Sequence, residues 1–349
     1  MVPLFKPFMP AQLPELETIL HSGQLSYGKY THRFEADLAS YIGIDSVLCT
    51  NSFNTAWLVA IAALELKPGD EVIASPLCCL ASSQPLAVAR LKVVWADIDP
   101  NTGTLDPDAV RAKITHRTRA IVHNHFCGYV GHIGPMKQLA SQYGLLLIDD
   151  VSEAFGSLYL KRKAGNWGAD ATIYSFQTVR IPNAIDGGAV SFANPLHTHK
   201  ATLIRDYGID RSRFRDDLGE ISPMCDISIP AYGCLMSDPN AYIGSLSLAN
   251  TDTLINRQRT NAKTHYLSLP KGVSPLEIVP DTSPNYWVFG ALARNKRGFI
   301  AQCRRTDQIA VSGVHLPNTN YSLFGCQGRF PATEHFHQHF IALPCGWWI

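Results

Sequence analysis

Apolar runs and segments of helical period alternate through most of this chain. The apolar runs fall at 46–50, 71–74, 93–96, 120–123, 145–149, 171–176 and 188–193. Helical-period segments fall between them at 55–66, 85–90, 107–114 and 135–143, the third opened by Asp106 as N-cap and Pro107 at the first helical position. Strands separated by helices cannot pair as hairpins. They need crossovers, and crossovers give a mostly parallel sheet covered by helices on both faces. The fold class is therefore α/β, and ligands of such sheets sit beyond the carboxyl ends of the strands. Two further helices are expected at 13–21 and 31–42. After about Tyr232 the pattern changes to a long helix from 238 to about 267, then a small α+β region with strands at 286–292 and 340–343. Two domains follow, 1–235 and 236–349.

The chain has 349 residues, 46% hydrophobic and 17% charged, enough for a substantial core. Thirty basic and 29 acidic residues nearly cancel, with no basic block to bind nucleic acid. No apolar run is long enough to span a bilayer, and residues 1–10 lack the apolar core of a signal peptide. Nine scattered cysteines, with only Cys78 and Cys79 adjacent, read as reduced thiols of a cytoplasmic protein.

Asp150 ends an apolar strand, where its carboxylate would project into the ligand crevice. It could pair with a pyridinium nitrogen there or cap the next helix, and position alone leaves both open. Ser175, at another strand end, offers a hydroxyl to a phosphate oxygen or serves a structural role. His335, His337 and His339 would share one face of a strand, a spacing that suits a metal but equally a polar edge near the C-terminus, and no metal is assigned. His123 and His125 share a face by the same logic. Trp347, Trp348 and Ile349 end the chain as a packed apolar segment or a partner contact.

The segment 174–188, with Ser175, Phe176, Arg180, Asp186, Gly187 and Gly188, resembles the cofactor-anchoring segment of the DegT/StrS sugar aminotransferases. Further motifs resemble that family in the same order: Ser22–Gly23 to Gly28, Gly69–Asp70–Glu71, Asp97–Ile98–Asp99–Pro100, His125 to Gly128, Asp150 to Gly156, and Tyr232 to Asp238. The resemblance covers nearly the whole chain. It implies the fold-type I architecture of pyridoxal phosphate (PLP) enzymes, with a large domain, a smaller C-terminal α+β domain and a homodimer sharing its sites. It further implies that Asp150 meets the cofactor ring nitrogen, Glu153 lies against the ring, Ser175 binds the phosphate and His125 lines the crevice.

The departures concern the cofactor. Arg180 stands where the family has the lysine that forms a Schiff base, and a guanidinium stays protonated and is a poor nucleophile. Cys79 stands where a stacking aromatic is usual. Ser52–Phe53–Asn54–Thr55 replaces a Gly-containing turn at the phosphate, leaving Asn54 or Thr55 as donors. Gly233 replaces an asparagine that reaches the partner's phosphate. Lys161 and Lys163 are the nearby lysines that could substitute. Three functions are open. One is a pseudoenzyme that binds a nucleotide sugar or partners an active paralogue. Another is a re-purposed enzyme in which Arg180 holds an anionic substrate, with Asp150, Glu153 and His125 available for proton transfer. The third is an aminotransferase or dehydratase holding PLP or its amine form (PMP) noncovalently.

Overall fold

Strand by strand, the apolar runs become a seven-stranded sheet in a computed structural model that describes every residue except Cys326. Its members are β1 (Leu48–Thr50), β2 (Glu71–Ala74), β3 (Lys92–Trp95), β4 (Thr118–Asn124), β5 (Leu146–Asp150), β8 (Ala171–Ser175) and β9 (Gly188–Phe192). Between β5 and β8 lies a small hairpin, β6 (Leu158–Tyr159) and β7 (Arg162–Lys163). The sheet order is β1-β9-β8-β5-β4-β2-β3, and only β9 runs against its neighbours. Helices Phe53–Ala63, Leu80–Val88, Pro107–Lys113 and Ile133–Tyr143 form the crossovers. Two buried clusters result. One packs Trp57, Val72, Val122 and Ile148; the other packs Phe34, Ile121, Met136 and Phe176.

The second hydrophobic unit is a three-stranded sheet of β10 (Val273–Pro275), β12 (Phe289–Ala293) and β13 (Phe340–Leu343), with Val288, Phe289, Phe336 and Phe340 at its core. β11 (Thr282–Ser283) instead adds to the β6–β7 hairpin. The long helix after 238 is two helices, Asp238–Ala249 and Thr251–Ser268. The first buries Ala241, Ile243 and Leu248 in the same core as Phe34 and Leu38. The helix at 238 thus packs against the helix that carries Phe34 and Leu38.

The three alternating histidines were expected on a strand. They lie instead on helix Pro331–His339, whose first position is Pro331. At helical spacing His335 and His339 stack at 4.3 Å, and His337 projects elsewhere, with its carbonyl accepting from Lys296 at 2.6 Å. A shared three-histidine face does not exist. The helix is docked by Asp97, whose carboxylate accepts the N–H groups of Ala332 and Thr333 at 3.0 and 2.9 Å. None of the described helices is long and apolar enough to cross a membrane.

Candidate active-site crevice

Parallel strands bring β4, β5 and β8 to one edge with their carboxyl ends together, and Asn124 is in register with Asp150 and His123 with Asp149. Side chains alternate along a strand, so Asp149 and Asp150 point to opposite faces. Asp150 faces the crevice with Cys78, Cys79, Ser82, Asn124, Ser152 and Glu153. It is 2% exposed and accepts the Ser152 N–H at 3.0 Å. Burial raises its pKa, against hydrogen bonds from Ser82 and Ser152, and the Glu153 charge adds to the rise; among the described residues no cation pairs with it.

Glu153 collects donors from three segments. Its Oε2 accepts the N–H of Cys127 at 2.7 Å, and its Oε1 meets His315 Nε2 at 2.9 Å and both Nη atoms of Arg180 at 3.4 Å. Burial pushes this carboxyl up, but His315, Arg180 and the Cys127 N–H outweigh it and bring it down to about 2. Glu153 is therefore a carboxylate at neutral pH. Two non-glycine residues take left-handed backbone to build the cluster: Cys127 (φ 56°), which presents its N–H, and Val314 (φ 57°), which precedes His315. The second is costly for a β-branched residue.

Arg180 is 6% exposed, and its guanidinium stacks over Trp287 at 4.2 Å. Trp287 donates its indole N–H to Val179 O at 2.8 Å. Its backbone N–H bonds Asn285 Oδ1 at 2.8 Å, and Asn285 Nδ2 holds Glu153 O at 2.9 Å. Both sides of the ion pair are thus tied to β12's approach. Arg180 Nε is buried without a partner.

The other expected residues divide. Ser175 is buried, and its hydroxyl has one long contact, with Gln177 N at 3.5 Å. Thr55 is spent in a capping box: its N–H goes to Ser52 Oγ and its Oγ1 takes the Ser52 N–H, each at 3.2 Å. Asn54 is exposed. Phe53 is buried edge-on against Trp57, and Gly188 lets this turn sit on β9, since a Cβ there would lie 2.7 Å from Phe53 Cα. Cys79 is partly exposed, and burial raises its thiol pKa, with the Glu153 charge adding to it. At Gly233 a side chain would collide with the Tyr207 hydroxyl. Lys163 caps the Tyr41 ring at 3.2 Å and pairs with Asp252 at 3.5 Å, while Lys161 sits in the hairpin turn, so neither replaces the missing lysine.

His125 is bonded through both ring nitrogens. Its ring reaches the crevice wall, but its Nδ1 accepts the Gly131 N–H at 3.0 Å, which leaves the proton on Nε2, donated to Asp149 Oδ1 at 3.0 Å. Both nitrogens are committed, so it is not available for proton transfer. His123 Nδ1 meets the same oxygen at 3.1 Å. Burial lowers the pKa of His123 to about 4. Burial raises that of Asp149, but His125 and His123 together bring it down to about 2. The three side chains have the grouping of a metal site. The Gly131 N–H argues against one, because His125 cannot ligate through a protonated nitrogen.

The DegT/DnrJ/EryC1/StrS aminotransferase family matches residues 9–347. The chain belongs to this family. A dTDP-4-dehydro-2,3,6-trideoxy-D-glucose 4-aminotransferase of Saccharopolyspora spinosa is 27% identical over 99% of this chain and 91% of its own. The crystal structure of the sugar aminotransferase CalS13 from Micromonospora echinospora superposes with a TM-score of 0.92 at 27% identity, covering all of this chain and 96% of that one. A sugar aminotransferase Spr1654 of Streptococcus pneumoniae in its PMP form shares the fold, with a TM-score of 0.88 at 23% identity over 100% and 95% of the two chains. The fold-type I architecture is thereby established.

Membership in the DegT/StrS family implies PLP, and the crevice can be tested for it. Asp150, a buried carboxylate lacking a cation, and Ser175, a buried hydroxyl with little to bond, fit the two ends of such a group. The pocket at Asp150 holds about 10 Å³ and is lined by neither Ser175 nor Arg180. The anchor position is filled by a guanidinium stacked on Trp287 and paired with Glu153. As arranged, these residues do not fit a PLP anchored by a Schiff base. A groove of about 690 Å³ beside β3 lies at the opposite ends of the strands.

Two members of the cluster, His315 and Trp287, were not anticipated from sequence. Neither sits in a recognisable motif.

Proposed function

We propose that this chain is a sugar-aminotransferase-like protein of nucleotide-sugar or polysaccharide biosynthesis that does not carry out Schiff-base transamination. It binds a nucleotide sugar as a pseudoenzyme or as the partner of an active paralogue. One observation carries the reading: Arg180 is built into the crevice by Glu153 and Trp287, where a free amine would be required. The experiment is direct. Purified protein is incubated with PLP, desalted, and supplied with an amino donor and a keto-sugar nucleotide. No retained cofactor absorbance and no amino transfer are expected. Retention with turnover overturns the reading.

Two alternatives each have one supporting observation. The unpartnered Nε of Arg180 favours a re-purposed enzyme that holds an anionic substrate. Asp150 without a cation favours noncovalent PLP or PMP in an opened crevice. An Arg180→Lys variant that retains PLP covalently would move the balance to the second.

As partner we infer a second copy or a paralogue. The arm at 209–231 leaves Leu218, Ile221 and Met224 exposed at 87%, 61% and 79%, and such apolar side chains gain by burial. The cytoplasm as compartment is supported by eight described cysteines, all free.

A further inference from the structure

Residues 2–8 run from the segment that leads to His315 to the loop that follows Arg180. At one end Val2 pairs with the segment that leads to His315: its N–H bonds Gln308 O at 2.6 Å, and the Ala310 N–H bonds Val2 O at 2.9 Å. At the other end Phe8 O accepts from Asn183 Nδ2, three residues beyond Arg180. Between them Phe5 stacks on Trp287 at 4.4 Å, on the ring that carries the Arg180 guanidinium. The segment therefore touches the Arg180 loop, the approach to His315 and the tryptophan that flanks both.

The C-terminus holds this segment from outside. Trp348 Nε1 donates to Pro3 O at 2.9 Å and Trp347 Nε1 to Lys6 O at 3.3 Å. Lys6 lies over the Trp347 ring at 4.9 Å and Phe8 meets its edge at 5.8 Å. Arg257 holds the last carbonyl, Ile349 O, at 3.0 Å. Only Leu4 of residues 2–8 is buried. Few buried contacts and a handful of hydrogen bonds make a segment that opens at far lower cost than the core.

We propose that residues 2–8 are a releasable clasp over the crevice, with Trp347 and Trp348 as its latch. Closed, the clasp presses Trp287 against Arg180 and keeps the Arg180 loop and the His315 segment together. Released, it frees Trp287 from Phe5 and Asn183 from Phe8, and the crevice gains the room it lacks. The clasp goes beyond the function proposed above and does not depend on which ligand enters.

The test is hydrogen exchange on the full chain without ligand, comparing wild type with a Trp347→Phe/Trp348→Phe variant. Phenylalanine keeps an aromatic ring and removes both N–H donors. Two reporters lie in different units: Ala310, bonded to Val2, and the hydrogen-bonded amides of Arg180, Asn183, Ala184 and Asp186. Loss of two hydrogen bonds should raise exchange at both reporters together by about tenfold or more, with β4 and β5 unchanged. A rise at Ala310 alone, or at neither, overturns the clasp. If the variant loosens β4 and β5 as well, Asn183→Ala, which cuts only the tie to Phe8, applies the same criterion to Ala310. In a separate arm dTDP-glucose is the probe. It should associate faster with the variant. Failure to bind either protein counts against the nucleotide-sugar reading, while exchange alone decides the clasp.

Discussion

Asp149 and Asp150 end the same strand in opposite surroundings. Asp149 is fully buried with two imidazoles on one oxygen, and they hold its carboxyl down to about 2. Asp150, on the other face, is equally buried but has only Ser82 and Ser152, and its pKa rises. Three residues on, Glu153 resembles Asp149: it too is surrounded by donors and held to about 2. The knot around Asp149 and the cluster around Glu153 each hold a charged carboxylate between donors, although Asp149 Oδ2, His123 Nε2 and Arg180 Nε keep no partner of their own among the described residues, while Asp150 is bonded but has no counter-charge. A buried acid without a cation is a feature that folding alone does not favour. The difference teaches that Arg180 belongs to a charge-paired cluster with Glu153, whereas the acid beside that cluster is left without an ion pair.

Breaking the cluster should have the largest effect. Glu153→Ala leaves a buried guanidinium without a counter-charge and Cys127 without an acceptor. The expected loss is about 3–5 kcal/mol in denaturant unfolding. A loss below about 1 kcal/mol would mean that the cluster is not the structural centre of the crevice.

Acid should separate the two regions next. The folded pKa of His123, about 4, lies below its ordinary 6.5, so the unfolded chain binds the extra proton. This contribution is complete above pH 6.5 and is lost as pH falls toward 4. Glu153 falls from an ordinary 4.5 to about 2, so its contribution is complete above pH 4.5 and is lost as pH falls toward 2. Each amounts to about 3 kcal/mol when complete. Unfolding free energies measured from pH 7 to 3 should fall first through the His123 window and then through that of Glu153. His123→Gln should flatten the first fall only. A single fall confined below pH 4.5 would contradict the assignment of the knot.

Arg180→Met should cost less, about 1–2 kcal/mol, because Glu153 keeps His315 and the Cys127 N–H, and the thioether can still pack on Trp287. Thermal unfolding against Glu153→Ala gives the ratio. Equal losses would mean that the pair acts as a unit and that His315 contributes little.

How much of this was legible in the sequence follows from what each feature depends on. Strand positions were readable because apolar runs are local. Asp150, Glu153, Ser175 and Arg180 were readable because their spacing lies within two strand–turn segments. Trp287 and His315 come from elements more than 100 residues away, and only tertiary packing brings them to Arg180. That His125 lines the crevice was readable, but its bond to Asp149 was not, because it depends on the register of β4 with β5 and on the Gly131 N–H. The alternation of His335, His337 and His339 suggested a strand, yet Pro331 starts a helix there and Phe336 is buried on it. A period of two in three polar residues carries little weight against helix capping and one buried aromatic.

The smallest predicted effect is the most informative about the acid without an ion pair. Asp150→Asn removes an acid that burial already disfavours and keeps a group able to bond Ser82 and Ser152. Stability should change by at most about 1 kcal/mol, and in the favourable direction if the acid is strained. Melting curves at pH 7 check this. A loss of several kcal/mol would show that Asp150 has a structural partner after all, and its resemblance to a ring-nitrogen ligand would then be incidental. A neutral result leaves an acid retained without a stability reason. In that case PLP or PMP titration of Arg180→Ala with and without Asp150→Asn separates the readings. Binding to the single variant that is lost in the double assigns Asp150 to a ligand, whereas binding to neither leaves the nucleotide-sugar reading as the one supported by the crevice.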